Sequence, residues 1–334
     1  MFQMAEKDAG TAKKRKRVNW KIIIMGVILL ALALAVMLRF AEFGEIGNLL
    51  KNVNYYWLLA ALGFQLADYA IVACFYKTME KKISYWYLCR TSIAMSFLDN
   101  TLPSFSAGGS TLLFHSIRKK GSAYGKASFI LALNAFLNFV LYFSIFACGM
   151  IFLIASGKIR GFNLIWIFAA IMILILIAMY GVLWTAAGRK HFKAAVSMVL
   201  RRWPNVRKKA MSTLASLHIS RGKVSKKDIF FSSLFLAISY FFRIGVVALV
   251  FLALGYAIPF GILIAGYFIT SFISVMSYVR MGVQEATMAV SYSKLGVPYN
   301  SALTATLLYR LVSFWIIILL GFFAFRSIIG EKRK

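Results

Sequence analysis

Acidic residues are scarce in this chain: ten Asp plus Glu stand against 39 Lys plus Arg in 334 residues, a formal charge of +29. Such an excess is compatible with nucleic-acid binding only if the basic residues gather on one solvated face. Here they sit in clusters between long apolar runs, so no nucleic-acid partner is expected. Cysteine is also sparse. Cys74, Cys89 and Cys148 are odd in number, lack metal-type spacing and fall in or beside apolar segments, which excludes a disulfide framework and a zinc site. No small-residue cleavage site follows the first apolar run, so that run reads as a retained helix rather than a secretory signal. Enzyme motifs are missing as well: there is no Gly-x-Ser-x-Gly, Walker loop, HExxH or close carboxylate pair, and no His pair has ligand spacing. No catalytic residue, metal or cofactor is expected.

What is present is apolar. Residues of the set AVILMFWYC make up 61% of the chain. Counting the 23 Gly in place of the 16 Tyr gives roughly 63%, well above the roughly 45–50% typical of soluble domains. The expected fold is an all-α polytopic integral membrane protein. Charge sets its topology, because Lys and Arg concentrate on the cytoplasmic side of a membrane. Residues 1–21 carry seven Lys or Arg and read as a cytoplasmic tail beside the anionic leaflet. Spans follow at about 22–40, 55–75, 127–154, 163–185, 229–254 and 301–325. The stretch AEFGEIGNLLKN after the first span reads as an external loop. The segment 188–228, with twelve Lys or Arg and the single acid Asp228, reads as a basic cytoplasmic loop lying along the headgroups. Residues 326–334 close the chain on the cytoplasmic side, which puts both termini in the cytoplasm of a multi-pass cell-membrane protein.

Two segments do not fit simple spans. Residues 91–117 begin and end at basic clusters yet hold LDNTLPSFSAGG at their centre. Equal signs at both ends require an even number of crossings, and two crossings need about 40 residues. Residues 258–297 repeat the pattern through SYVRMGVQEA. Both read as re-entrant helical hairpins whose polar tips must be buried in protein or line a cavity. The count is therefore about six spans plus two hairpins.

The chain also repeats itself at an offset of 175. Between 96–139 and 271–314, nine of 44 aligned pairs are identical, among them Ser96/Ser271, Gly121/Gly296 and Tyr124/Tyr299. The order span, hairpin, Gly-x-x-Tyr turn, long span recurs in both copies, about 55–154 and 229–325, joined by the span at 163–185 and the basic loop. Charge puts the first hairpin at the cytoplasmic face and the second outside, so the copies read as an inverted-topology repeat within one transmembrane domain, about 22–325. Inverted repeats with broken helices meeting near mid-membrane are a transporter architecture in which the halves rock around a polar site.

Ionisable groups at membrane depth are costly and call for a partner or a task. Asp68, Asp99 and Glu285 are the acids concerned; Arg243, Arg280 and Arg310 are the bases. In the 175 register Asp68 aligns with Arg243 and Ser110 with Glu285. Asp68 and Arg243 can serve as a helix-to-helix ion pair or as a coupling element across the pseudo-twofold axis. Arg280 and Arg310 suit a lipid phosphate, with Glu285 orienting Arg310 or meeting a cationic headgroup. Asn100 and Ser110 line the first hairpin, where Pro103, Gly108 and Gly109 suit a helix break or an ordinary kink. Asn134 and Asn138 share one helix face, and His115 reads as interfacial.

The stretches NTLPSFSAGG (100–109), KKGSAYGKAS (119–128), GVQEA (282–286) and LGVPYNSALTATLLYRLVSFW (295–315) resemble the transmembrane region of the lysylphosphatidylglycerol synthase and flippase family. The resemblance runs from about 20 to 325, and Glu285 and Arg310 fall on its most specific block. It implies translocation of aminoacylated phosphatidylglycerol between leaflets, with membrane phospholipid as partner. Larger members carry a soluble aminoacyltransferase domain after the membrane part; this sequence stops at Lys334, so a stand-alone form without that domain is expected, and a separate transferase is one candidate partner. Two differences fall in the implied site: Ser110 stands where many members have an acid, and Ser277 to Met281, with Arg280, replaces a Pro/Gly-rich approach. The alternatives are a membrane component of lipid modification, named as or partnering a phosphatidylglycerol lysyltransferase, and a non-transporting envelope scaffold. Oligomeric state is not readable from the sequence.

Overall fold

The computed structural model describes residues 43–101, 107–155, 157, 224–276 and 282–330. The N-terminal tail, the expected spans at 22–40 and 163–185, most of the basic loop at 188–228, Pro103, Arg280 and the last four residues lie outside them. We number helices within the described residues: α1 Phe43–Lys51, α2 Tyr55–Met79, α3 Tyr85–Thr101, α4 Ala107–Lys119, α5 Tyr124–Ala155, α6 Lys226–Ala253, α7 Phe260–Met276, α8 Val283–Lys294, α9 Tyr299–Arg310 and α10 Ile316–Gly330. A π-helical turn, Leu311–Trp315, joins α9 to α10 into one continuous span. The described residues form an all-α membrane fold.

Four of these elements are long and apolar enough to cross a membrane: Tyr55–Met79, Tyr124–Gly149, Lys226–Ala253 and Tyr299–Gly330. Their starts follow from local chemistry. The Asn54 side chain accepts the Tyr56 N–H at the head of α2, and Ser225 does the same for Lys227 at the head of α6. Just past the foot of α2, Lys77 Nζ donates to the Lys81 and Ile83 carbonyls of the turn that leads into α3. The expected external segment at 41–52 contains α1, in which Ile46, Leu49 and Leu50 share one helical face and Ile46 packs against Ala289 and Leu303.

Each expected hairpin segment holds a pair of short helices. The arms of the first, α3 and α4, have 17 and 13 residues. At 1.5 Å per residue they reach about 26 and 20 Å, short of the roughly 30 Å hydrocarbon core. The second is built of α7 and α8, with 17 and 12 residues.

Element boundaries recur at the 175 offset. α3 at 85–101 corresponds to α7 at 260–276, the ends of α4 and α8 fall at 119 and 294, and α5 and α9 begin at Tyr124 and Tyr299. The turns after each hairpin match bond for bond. Ser122 N donates to Ile117 O and Gly121 N to Arg118 O; Val297 N donates to Tyr292 O and Gly296 N to Ser293 O. Each pair is a Schellman motif, which needs a left-handed residue at its first position past the helix. Gly121 and Gly296 supply it, with φ of 89° and 104°.

Helices α2–α5 and helices α6–α10 are interleaved rather than side by side. α2 and α6 lie together near the centre, with Phe64 and Phe242 rings 4.9 Å apart. The first hairpin packs on the last span through Phe97 and Phe325, centroids 5.8 Å apart. The second packs on α5 through Phe146 and Phe268, 4.6 Å apart. Lipid offers no solvent drive to bring helices together, so close side-chain packing of this kind and interhelical hydrogen bonds must hold them.

Candidate functional site

A cavity of about 560 Å³ lies between α2, α3, α5, α6, α7 and α9, within the roughly 300–1,000 Å³ of small-molecule sites. Positions 175 apart in the sequence line it in pairs. Gln65 and Tyr240, Asp68 and Arg243, Ser96 and Ser271, Asp99 and Ser274, Asn134 and Tyr309, and Asn138 and Ser313 are each separated by 175, and all twelve line the cavity. Ala135 and Arg310 form another such pair, in which only the second copy carries charge. The charges divide by copy: the lining acids Asp68 and Asp99 come from α2 and α3, and the lining bases Arg243 and Arg310 from α6 and α9.

Asp68, 2% exposed, is near the middle of α2. It accepts the Ser239 hydroxyl and the Arg243 Nε, the latter at 3.1 and 3.0 Å from its two oxygens. The structure thus joins the two residues that the repeat register aligned. Ser239, Tyr240 and Arg243 lie within little more than one turn of α6, and the Arg243 guanidinium carbon sits 5.0 Å from the Tyr240 ring centre. Tyr240 Oη donates to Asn138 Oδ1 at 3.0 Å, and Asn138 in turn donates to Asn134, so the two asparagines join this network.

The hairpin tips are tied by bonds between corresponding positions, with donor and acceptor exchanged. Gly109 N donates to Asp99 Oδ1 at 2.8 Å, and Ser274 Oγ donates to Gln284 Oε1 at 3.2 Å, the second pair displaced by 175 from the first. A Cβ at Gly109 would stand 2.6–2.8 Å from the Asp99 carboxylate, so the clamp requires glycine there. Gly108 is half-buried beside it. Asn100 donates to Ser96 O and Oγ at 2.9 and 3.3 Å, while Tyr69 Oη donates to the same Ser96 hydroxyl at 2.8 Å. Asn100 and Ser110 both line the cavity.

Arg310, 5% exposed, ends α9, with its Nε 2.5 Å from Glu285 Oε1 and its guanidinium carbon 4.9 Å from the Phe314 ring centre. Glu285 stands in the first turn of α8, where the helix N-terminus favours a negative charge. The π-helical turn begins immediately after Arg310 and carries Ser313 into the lining. Of the residues expected at the site, Asp68, Asp99, Asn100, Ser110, Arg243 and Arg310 come together; Glu285 stands behind Arg310; His115 is exposed and not in the lining.

The sequence reading missed Ser239, Tyr240, Tyr267, Ser274 and Gln284. The first two were legible as one-turn neighbours of Arg243. Ser274 and Gln284 were legible only by carrying Asp99 and Gly109 across the 175 offset. Among the described residues no three His, Cys, Asp or Glu side chains gather as a metal site would require. The arrangement suits a small ligand that carries charge and hydrogen-bonding atoms.

A second charged network lies at the foot of α2, outside the span. The buried Glu80 accepts the Ser122 hydroxyl at 2.6 Å and pairs with Lys126 Nζ at 3.0 Å. Burial works to raise this carboxyl, but the Ser122 and Lys126 hydrogen bonds, the Lys126 charge and a backbone hydrogen bond at Lys82 together outweigh it and hold the group below the usual carboxylate range.

Comparison with curated proteins finds no match. A family model described as "Lysylphosphatidylglycerol synthase TM region" matches residues 23–321, a stretch that takes in both hairpins and every cavity residue named above. The chain belongs to that family, the transmembrane region of the lysylphosphatidylglycerol synthases.

Proposed function

We propose that this protein is a flippase-like membrane protein that moves a phospholipid between leaflets of the cell membrane, the substrate being phosphatidylglycerol, its lysyl derivative or another anionic or aminoacylated lipid. The observation that carries this reading is the charged cavity set between corresponding positions of the two copies, at the middle of helices long enough to span a bilayer. A lipid headgroup crossing hydrocarbon needs such a polar enclosure, since each exposed charge there costs several kcal/mol. The family description supports the lipid class.

In this reading both termini are cytoplasmic, the two copies have opposite orientation, and the hairpins re-enter from opposite faces. Asn100, Ser110 and Arg310 receive the headgroup, Glu285 orients Arg310, and Arg280 adds a positive charge at the second hairpin. Asp99, Gly108 and Gly109, with Pro103, shape the first hairpin; Asp68 and Arg243 couple α2 to α6. Because each hairpin packs on a span of the other copy, the hairpins themselves are better suited to move than two rigid halves. The word "synthase" in the family description favours a second reading, a membrane component that presents lipid to a separate transferase. A purely scaffolding role leaves the cavity charges without a task.

Reconstitution into liposomes with labelled phosphatidylglycerol and its lysyl derivative, reading leaflet exposure over time, tests the proposal. At least one lipid should cross faster than in protein-free liposomes. Rates no faster than in protein-free liposomes for either lipid, with and without a pH gradient, would remove the transport reading and leave the presenting role.

A further inference from the structure

The two guanidinium groups in the cavity wall are held in different ways. Arg310 is 6% exposed in its side chain and set against Glu285, whereas the Arg243 side chain is 29% exposed. Arg243 meets Asp68 through Nε alone, which reaches both carboxylate oxygens. A guanidinium carries five N–H donors, four of them on the two Nη atoms. Among the described residues those four have no hydrogen-bond partner, and the Nη atoms are not enclosed by protein. The plane of the group is fixed nonetheless, by Asp68 at its Nε edge and the Tyr240 ring beneath it. Asp68 is itself held by the Ser239 hydroxyl and by burial on α2.

We infer that Arg243 is the phosphate seat of the cavity. Its two Nη groups donate a forked pair of hydrogen bonds to two oxygens of a phosphate ester, the geometry in which a guanidinium surpasses an ammonium. Asp68 is the positioning residue, holding the Nε edge so that the fork faces the cavity. This assigns Arg243 a ligand contact beyond its coupling of α2 to α6. It rests on the cavity being the headgroup site, and it names the chemistry recognised there: a phosphate carrying a negative charge, whether on a lipid headgroup or as the free ion.

Binding measured in detergent tests this without requiring transport. The probes are short-chain phosphatidylglycerol, the matching short-chain diacylglycerol without phosphate, and inorganic phosphate, titrated against wild type, Arg243→Lys and Arg243→Gln by intrinsic fluorescence or calorimetry. Wild type should bind the phosphate lipid and not the diacylglycerol. Arg243→Gln should bind it about 10- to 100-fold more weakly, the loss expected for charge-assisted hydrogen bonds, and Arg243→Lys should fall between. If Arg243→Gln fails to fold because Asp68 is left buried without its cation, the double variant Asp68→Asn/Arg243→Gln carries the same test. Inorganic phosphate that displaces the lipid, with the same dependence on Arg243, would assign the seat to phosphate as such; lipid binding that inorganic phosphate leaves untouched would assign it to the headgroup. Unchanged affinity for the phosphate lipid in folded Arg243 variants overturns the inference, even if wild type moves lipid in liposomes. Loss of binding in those variants, with no lipid movement by wild type, would uphold the seat and reject transport.

Discussion

Asp68 and Arg243 show how a charge is tolerated at the middle of a span: each is the other's counter-ion, with the Ser239 hydroxyl completing the carboxylate. Removing one partner should cost far more than removing both, because a lone carboxylate is left in a low-dielectric wall. Arg243→Ala should lower stability by about 3–5 kcal/mol, and Asp68→Asn/Arg243→Gln should recover most of it. Thermal unfolding in detergent of the two single variants and the double measures this; additive losses would show that the pair is not coupled. Glu80 has the opposite character, a charge at the foot of α2 whose carboxyl is held below its usual range. A depressed carboxyl adds stability that is present above its unfolded pKa, about 4.3, and is lost as pH falls through the folded value. Wild type should therefore hold its melting temperature from pH 7 to about 5 and lose it below about 4, while Glu80→Gln starts lower at pH 7 and shows a flatter fall. The Asp68–Arg243 meeting was legible in the sequence because opposite charges occupied register-equivalent places. The Asp99 clamp was not, since a carboxylate accepting a backbone N–H ten residues on leaves no pattern of residue types.

At the scale of elements, the four long spans among the described residues followed from hydropathy and basic flanks, and the two pairs of short helices from polar tips between like-charged ends. The α1 helix was missed because two acids in a short amphipathic stretch read as a loop; its helical face became meaningful only with Ala289 and Leu303 against it. The π-helical turn after Arg310 has no sequence signature, as nothing in LVSFW departs from an ordinary apolar helix. The hairpin-to-span turns were more legible: Gly121 and Gly296 were among the nine identities that suggested a repeat, and both occupy the left-handed position of a Schellman motif. An L side chain there costs roughly 1–2 kcal/mol. Gly121→Ala and Gly296→Ala should each lower the unfolding free energy by that amount, as read by denaturant or heat, whereas a neutral effect would show that the turn relaxes out of the left-handed region.

For the whole molecule, the repeat register carries more than the nine identities suggested. The same offset relates helix ends, turn hydrogen bonds, hairpin clamps and opposite walls of the cavity. What a linear comparison could not convey is the interleaving, with each hairpin against a span of the other copy. That packing sets the acids of one copy against the bases of the other around a single cavity. The central claim is that this cavity carries a lipid headgroup across the membrane. The most direct measurement is the initial rate of leaflet exchange of labelled phosphatidylglycerol and lysyl-phosphatidylglycerol in liposomes, comparing wild type with Glu285→Gln/Arg310→Ala at matched amounts of folded protein. The account predicts exchange well above protein-free liposomes for wild type and a fall toward that baseline for the variant; equal rates for the two proteins would contradict it.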